Sequence, residues 1–158
     1  MTALTSLLSP NWVAARLLDA LQPLFLLATR FFVSWQFLKS GWIKITSWDT
    51  TIYLFENEYH TPLLPPHVAA VAGTFGELFF PMLLVAGFAS RLGALGLFAV
   101  NALAVISYRQ VLLSEGFEAA LAQHVLWGFM LALLAIQGPG RWSIDSLLAR
   151  RAGGVSHI

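Results

Sequence analysis

Of four apolar runs, each long enough to cross a bilayer, three carry ionisable side chains in their midst: Arg30 and Lys39, Glu77, and His124. A charge at such depth costs several kcal/mol or more, so each of these residues is a candidate functional position by default. The runs also fix the class of fold. With no water to satisfy backbone groups in hydrocarbon, a chain that crosses by runs of about 20 apolar residues crosses as helices. The 158 residues are 58% hydrophobic and 11% charged, with a mean hydropathy of +0.72. A soluble domain is about a quarter charged and could not hide so much apolar surface. The expectation is an all-α integral membrane four-helix bundle forming one domain over residues 1–158, with short interfacial helices at both ends.

The first span is expected over about 24–45, after Pro23, whose missing N–H suits the first turn of a helix. Ahead of it, Asn11 to Gln22 alternates Trp12, Leu17, Leu18 and Leu21 with Arg16 and Asp19, the pattern of a helix lying on the membrane surface. The opening stretch, Met1 to Pro10, lacks a basic segment and no small-residue cleavage site follows, so the first span is expected to remain as an anchor. The second span, about 68–88, opens at Pro65-Pro66-His67 and closes at Gly87. A short turn, Ala89 to Arg91, leads to the third, about 92–108, which must therefore run antiparallel to the second. The fourth, about 119–137, ends at Gly138-Pro139-Gly140. Beyond it, Arg141 to Arg151 reads as a second surface helix, with Ser143 as N-cap, Asp145 in the first turn and Arg150 and Arg151 in the last.

Arg16, Arg91, Arg141, Arg150 and Arg151 fall at one side of this arrangement. Lys44 and Arg109 fall at the other, beside Asp49, Glu56, Glu58, Glu115 and Glu118. By the bias of basic residues toward the cytoplasm, both termini are expected inside and the long connection, 46–67, outside. Trp48, Ile52, Tyr53, Phe55 and Tyr59 make that connection a re-entrant or interfacial segment able to cap the bundle. Depth counted from the span ends puts Lys39, Glu77, Asn101 and His124 in the outer half. Arg30, Ser34, Gly41 and Lys44 share one helical face, with Lys39 nearly opposite. This predicts a buried pair of Glu77 with Arg30, and a Lys39 that snorkels outward. Pro81 removes the hydrogen bond that would end on the Glu77 carbonyl, which predicts a wet or ligand-filled pocket beside Glu77.

Other features narrow the chemistry. The absence of cysteine removes disulfides, thiolate metal sites and thiol relays. His124 lacks a second histidine one turn away, so no haem is expected. The irregular spacing of Glu56, Glu58, His60 and His67 favours a solvated face over a metal site. The net charge is +1 and the basic residues are scattered, so nucleic acid is not an expected partner. Ala69, Gly73, Gly76, Gly93 and Gly96 read as close-packing positions between helices.

The string Gly76-Glu77-Leu78-Phe79-Phe80-Pro81 through Gly87 to Arg91-Leu92-Gly93 resembles the central motif of the DoxX family of small bacterial four-span membrane proteins. The stretch from Arg30 through Ser40-Gly41 to Lys44, and the ending Gly138-Pro139-Gly140-Arg141-Trp142-Ser143-Ile144-Asp145, are similar to that family too. The resemblance runs from about Thr29 to Leu148. It implies a bacterial inner-membrane protein, often an accessory subunit. Some relatives belong to thiosulfate:quinone oxidoreductase, and others accompany oxidative-stress enzymes or copper-related peptide-modification systems. Arg30, Lys44, Glu77 and Arg91 match the family's recurring charged positions. The absent thiol argues against thiosulfate chemistry by this chain alone.

The functional expectation is a subunit of a redox system that interacts with quinone through a buried polar pocket. Glu77, Arg30 and His124 are its candidates for the proton chemistry, and Lys39, Lys44, Arg91 and Asn101 for holding the quinone; no metal is expected. A partner redox protein or further copies of the chain would complete the system. Two alternatives remain: a non-enzymatic anchor or scaffold for a partner enzyme, and a small-solute transporter acting as an oligomer.

Overall fold

A computed structural model of the chain describes residues 10–153. All but Pro10 of the opening stretch, and the last five residues, lie outside these. Among the described residues seven helices follow one another: α1 Pro10–Thr46, α2 Trp48–Asn57, α3 Pro66–Ala86, α4 Ser90–Ser107, α5 Arg109–Leu112, α6 Glu118–Gln137 and α7 Ile144–Arg151. No strand occurs among the described residues. Four helices, α1, α3, α4 and α6, are long and apolar enough to cross a membrane, and the protein is a multi-pass membrane protein in contact with the lipid bilayer. Large apolar side chains such as Phe31, Trp35, Phe75, Leu95, Phe129 and Ile136 stand exposed on the outside of the bundle. In water that surface would be an aggregation hazard; facing lipid chains it is solvated.

The first helix differs from its expected form. The separate surface helix over Asn11–Gln22 and the span beginning after Pro23 are a single helix of 37 residues with Pro23 inside it. One proline frees one carbonyl, a loss that a long helix tolerates without breaking. At about 1.5 Å per residue, α1 is about 55 Å long and outruns the roughly 30 Å hydrocarbon core.

Packing is in layers. α1 lies against α3, α3 against α4, and α4 against α6. Leu26, Val33, Phe37, Leu84, Leu97, Leu131 and Leu134 form the main core. The second core is small: Phe55 of α2 rests on Ala69 and Ala70 of α3, so the long connection folds back over the first turns of α3 as a short helix. The backbone N–H of His60 donates to the Ser107 carbonyl at 2.9 Å, fastening the same connection to the end of α4.

The turn between α3 and α4 depends on Gly87, which caps α3 in the left-handed region at φ 70°. A Cβ there would stand 2.6 Å from Arg30 Nη2 and 2.6 Å from Ser143 Cβ. Only glycine has both the conformation and the space. Ser143 accepts from the Ser146 N–H at 3.1 Å, the capping role read from the sequence. Asp145 reaches further: its Oδ1 accepts from Ala89 N–H at 2.8 Å and its Oδ2 from Ser90 N–H at 2.9 Å. α4 has no side-chain cap of its own, and the carboxylate from α7 satisfies its orphan donors instead.

Candidate functional site

Two clusters of buried polar groups occupy opposite ends of the bundle. At the end that carries α2, Lys44 of α1 meets Glu77 of α3. Its Nζ donates to Glu77 Oε1 at 2.8 Å, to Oε2 at 2.7 Å and to Ser40 Oγ at 2.8 Å. Three N–H donors find three acceptors, so the ammonium is fully satisfied. Gly41 permits the approach: a Cβ there would lie 2.8 Å from Leu78 Cγ and 3.1 Å from Glu77 Cβ.

This ion pair lines a cavity of about 270 Å³ together with Tyr59, Tyr108, Thr61 and His124. The remaining wall is largely apolar, from α4 residues such as Val100 and Leu103. Thr61 Oγ1 is buried and has no hydrogen-bond partner among the described residues. A buried hydroxyl without a partner costs on the order of 1–3 kcal/mol, and in a roomy polar site a water or ligand relieves that cost. Burial, then Tyr108, Glu77 and Glu58, push the Tyr59 phenol above its ordinary value, so it stays a donor at neutral pH. Edge-to-face contacts of Tyr59 with Phe55, at 4.9 Å, and with Tyr108, at 5.1 Å, hold the ring in place.

His124 of α6 is oriented from behind by Asn101 of α4. Asn101 Nδ2 donates to the His124 carbonyl at 2.9 Å, which fixes the amide so that Oδ1 is the acceptor facing His124 Nδ1 at 2.8 Å. The ring therefore carries its proton on Nδ1, and Nε2 is left as an acceptor without a partner among the described residues. Trp127 packs against the imidazole at 5.0 Å between ring centroids.

At the other end, Arg30 is 1% exposed. Its Nε donates to the Leu84 carbonyl at 2.8 Å, its Nη2 to Val85 at 2.8 Å, and its Nη1 to Pro139 at 2.9 Å and Trp142 at 2.8 Å. Leu84 and Val85 close α3, where orphan carbonyls and the negative end of the helix dipole favour a cation. The expected Arg30–Glu77 pair does not form: Glu77 takes Lys44, and Arg30 takes main-chain oxygen. Gly41 is level with Glu77, whereas Arg30 is level with the last turn of α3.

The seven residues singled out from the sequence thus divide. Glu77, Lys44 and His124 line one cavity, with Asn101 just behind it. Lys39 is exposed, as its helical face required. Arg30 and Arg91 belong to the opposite end, where Arg91 makes one long contact, Nη2 to the Ile136 carbonyl at 3.4 Å. Of the residues in and beside the long connection, His67 pairs with Glu56 at 3.0 Å and His60 Nδ1 meets Gln110 at 2.8 Å. Among the described residues no three histidine, aspartate or glutamate side chains cluster as metal ligands would. Ser40, Thr61 and Tyr108 were not foreseen. Ser40 lies one turn before Lys44 and was discoverable; Thr61 and Tyr108 depend on how the connections fold back.

The family model for DoxX matches residues 25–110, a stretch that includes Arg30, Lys44, Glu77 and both sides of the Gly87 turn. The chain belongs to the DoxX family. This DoxX protein is also similar to an uncharacterized protein of Haemophilus influenzae, 26% identical over 132 residues that cover 79% of this chain and 83% of that one. No solved structure matches it.

Proposed function

We propose that this DoxX protein is a membrane subunit of a redox system, and that the cavity beneath α2 receives a quinone headgroup. The observation that carries this reading is the Lys44–Glu77 ion pair set in the wall of a largely apolar cavity. A quinone is a flat ring with two carbonyl acceptors and an apolar tail, and its reduction consumes two electrons and two protons. The lining suits such a ring. Tyr59 and Thr61 offer hydroxyl donors and Val100 and Leu103 offer apolar contact. Glu77 and His124 Nε2 are positioned as proton donor or acceptor sites at the same wall.

Within this reading Lys44 orients the Glu77 carboxylate by engaging both oxygens. Asn101 sets the tautomer of His124. Electrons come from a partner redox protein, and the protein resides in the bacterial inner membrane with both termini cytoplasmic, the cavity facing the outer half. A second reading, a scaffold for a partner enzyme, is favoured by the complete saturation of Lys44, which makes the pair a plain staple between α1 and α3.

The test is to purify the protein in mild detergent, extract it with solvent, and quantify quinone per chain by mass spectrometry beside Glu77→Gln and Thr61→Val. Near-stoichiometric quinone in the wild type, reduced in both variants, supports the proposal. Background amounts in all three would return the protein to the scaffold reading.

A further inference from the structure

We infer that the end of the bundle opposite α2 holds a binding site for the phosphate of an anionic phospholipid, built by Arg91, Arg141 and Arg150. These three residues come from the first turn of α4, the connection after α6, and the last turn of α7. They line a single open cavity of about 690 Å³, closed on its far side by Gln22, Pro23 and Leu26 of α1. Nothing in the quinone reading uses it.

The charge there is not balanced from within. Asp145 is the one acidic residue on the cavity wall, and both its oxygens are taken by the Ala89 and Ser90 amides. Among the described residues the ion pairs are Lys44–Glu77 and His67–Glu56, so none of the three arginines has an acidic partner. Arg91 is nonetheless placed. Its Nε and Nη2 would lie 3.4 and 3.6 Å from a Cβ on Gly138, so the guanidinium rests against the bare backbone at that glycine. Its single hydrogen bond, 3.4 Å to the Ile136 carbonyl, leaves most of its five donors available. Three arginines lining one space offer planar forks suited to the oxygens of a phosphate, which guanidinium groups bind in bidentate fashion.

Position decides in favour of a lipid as the source of that phosphate. The cavity opens where α3, α6 and the apolar part of α1 end, the level of the headgroups. Exposed Leu92 and Trp142 adjoin Arg91 and Arg141 in the chain, and exposed Ile136 is the residue whose carbonyl Arg91 bonds, offering apolar surface for acyl chains and an aromatic anchor at the interface. Basic pockets between spans on the cytoplasmic side recognise anionic headgroups by this combination of charge and apolar wall. Free phosphate would use the charges but not the apolar surface.

The experiment uses the full-length protein in detergent, delipidated by washing, with native mass spectrometry and thermal unfolding as readouts. Phosphatidylglycerol, phosphatidylcholine and inorganic phosphate are titrated separately. The expected result is a retained phosphatidylglycerol adduct and a raised unfolding temperature with that lipid, little change with phosphatidylcholine, and none with millimolar phosphate. Each basic residue near an anionic surface is worth roughly a factor of five in affinity. The triple variant Arg91→Gln, Arg141→Gln, Arg150→Gln should therefore weaken phosphatidylglycerol binding by about a hundredfold, while Arg109→Gln, at the other end, leaves it unchanged. Single Arg91→Gln and Arg150→Gln variants, with about fivefold losses each, keep the question answerable if the triple variant does not accumulate. Equal binding of the two lipids, or an unweakened triple variant, overturns the site. Stabilisation by inorganic phosphate as large as that by phosphatidylglycerol assigns the arginines to a soluble anion and overturns the lipid.

Discussion

Arg30 and Lys44 stand on the same face of the same helix, and the structure treats them in opposite ways. Arg30 is wired to four main-chain carbonyls from two segments. Carbonyl oxygens do not titrate and cannot leave, so that cluster has one state. Lys44 is wired to a carboxylate and a hydroxyl at a cavity wall. A carboxylate can take up a proton, turn and accept a new partner, so that cluster has several states. Two cations on one helix face are thus a fastener and a candidate working site, distinguished by the chemistry of their acceptors.

The largest expected effect is at the fastener. Arg30→Met leaves the Val85, Pro139 and Trp142 carbonyls without a donor, Leu84 keeping the Gly87 N–H, and should cost on the order of 3–5 kcal/mol, measured as lost accumulation in membranes or a lower unfolding temperature. Gly87→Ala should approach it, because the added methyl meets Arg30 and Ser143 at a positive φ. Arg30→Lys keeps the charge but not the fork, and its failure to restore stability would show that geometry is what matters.

Next comes the pair. Lys44→Met and Glu77→Leu alone should each destabilise by about 2–4 kcal/mol through a stranded buried charge, whereas the double variant should recover most of that loss while binding no quinone. A double variant as unstable as the singles would mean that the pair has no private coupling, and the contrast with Arg30 would collapse. Smaller still, Thr61→Val should leave stability within about 1 kcal/mol and lower quinone retention several-fold, read by extraction and mass spectrometry. Lys39→Gln, on the exposed face, should change stability by less than about 0.5 kcal/mol and leave quinone content alone.

Much of the frame was legible because it rests on local rules. Apolar length gave the four spans, Gly87 marked a helix end, Ser143 a helix start, and the helical period put Arg30, Ser34, Gly41 and Lys44 on the buried face with Lys39 off it. The partner of Glu77 was not legible, and the reason is a stagger. Gly41 lies five residues from the end of α1, yet it is level with Glu77, eleven residues from the start of α3. The start of α3 therefore overshoots the end of α1 by about six residues, or about 9 Å at 1.5 Å per residue. Depths counted from the span ends assume that all ends share one plane, and so they brought Arg30 too close and put Lys44 too far away. The overshoot is the surface that α2 covers with Phe55 on Ala69 and Ala70, a tertiary arrangement that hydropathy does not encode. Thr61 and Tyr108 entered the cavity wall by the same route.

The Arg30 cluster also has a history in time. Two of its four acceptors, Pro139 and Trp142, lie 109 and 112 residues further along the chain. During synthesis the first span is made long before they exist. At about 5–20 residues per second that interval lasts from several seconds to about twenty, and an arginine within an apolar span is costly, up to about 2.5–3.5 kcal/mol on insertion scales for one at full depth. The growing chain carries this unmet demand past α3, whose last carbonyls answer half of it, until the ending after α6 supplies the rest. The segment after α6 thus closes the fold around a span made long before it, and a chain stopped before Pro139 would retain its spans with α1 still half unanchored.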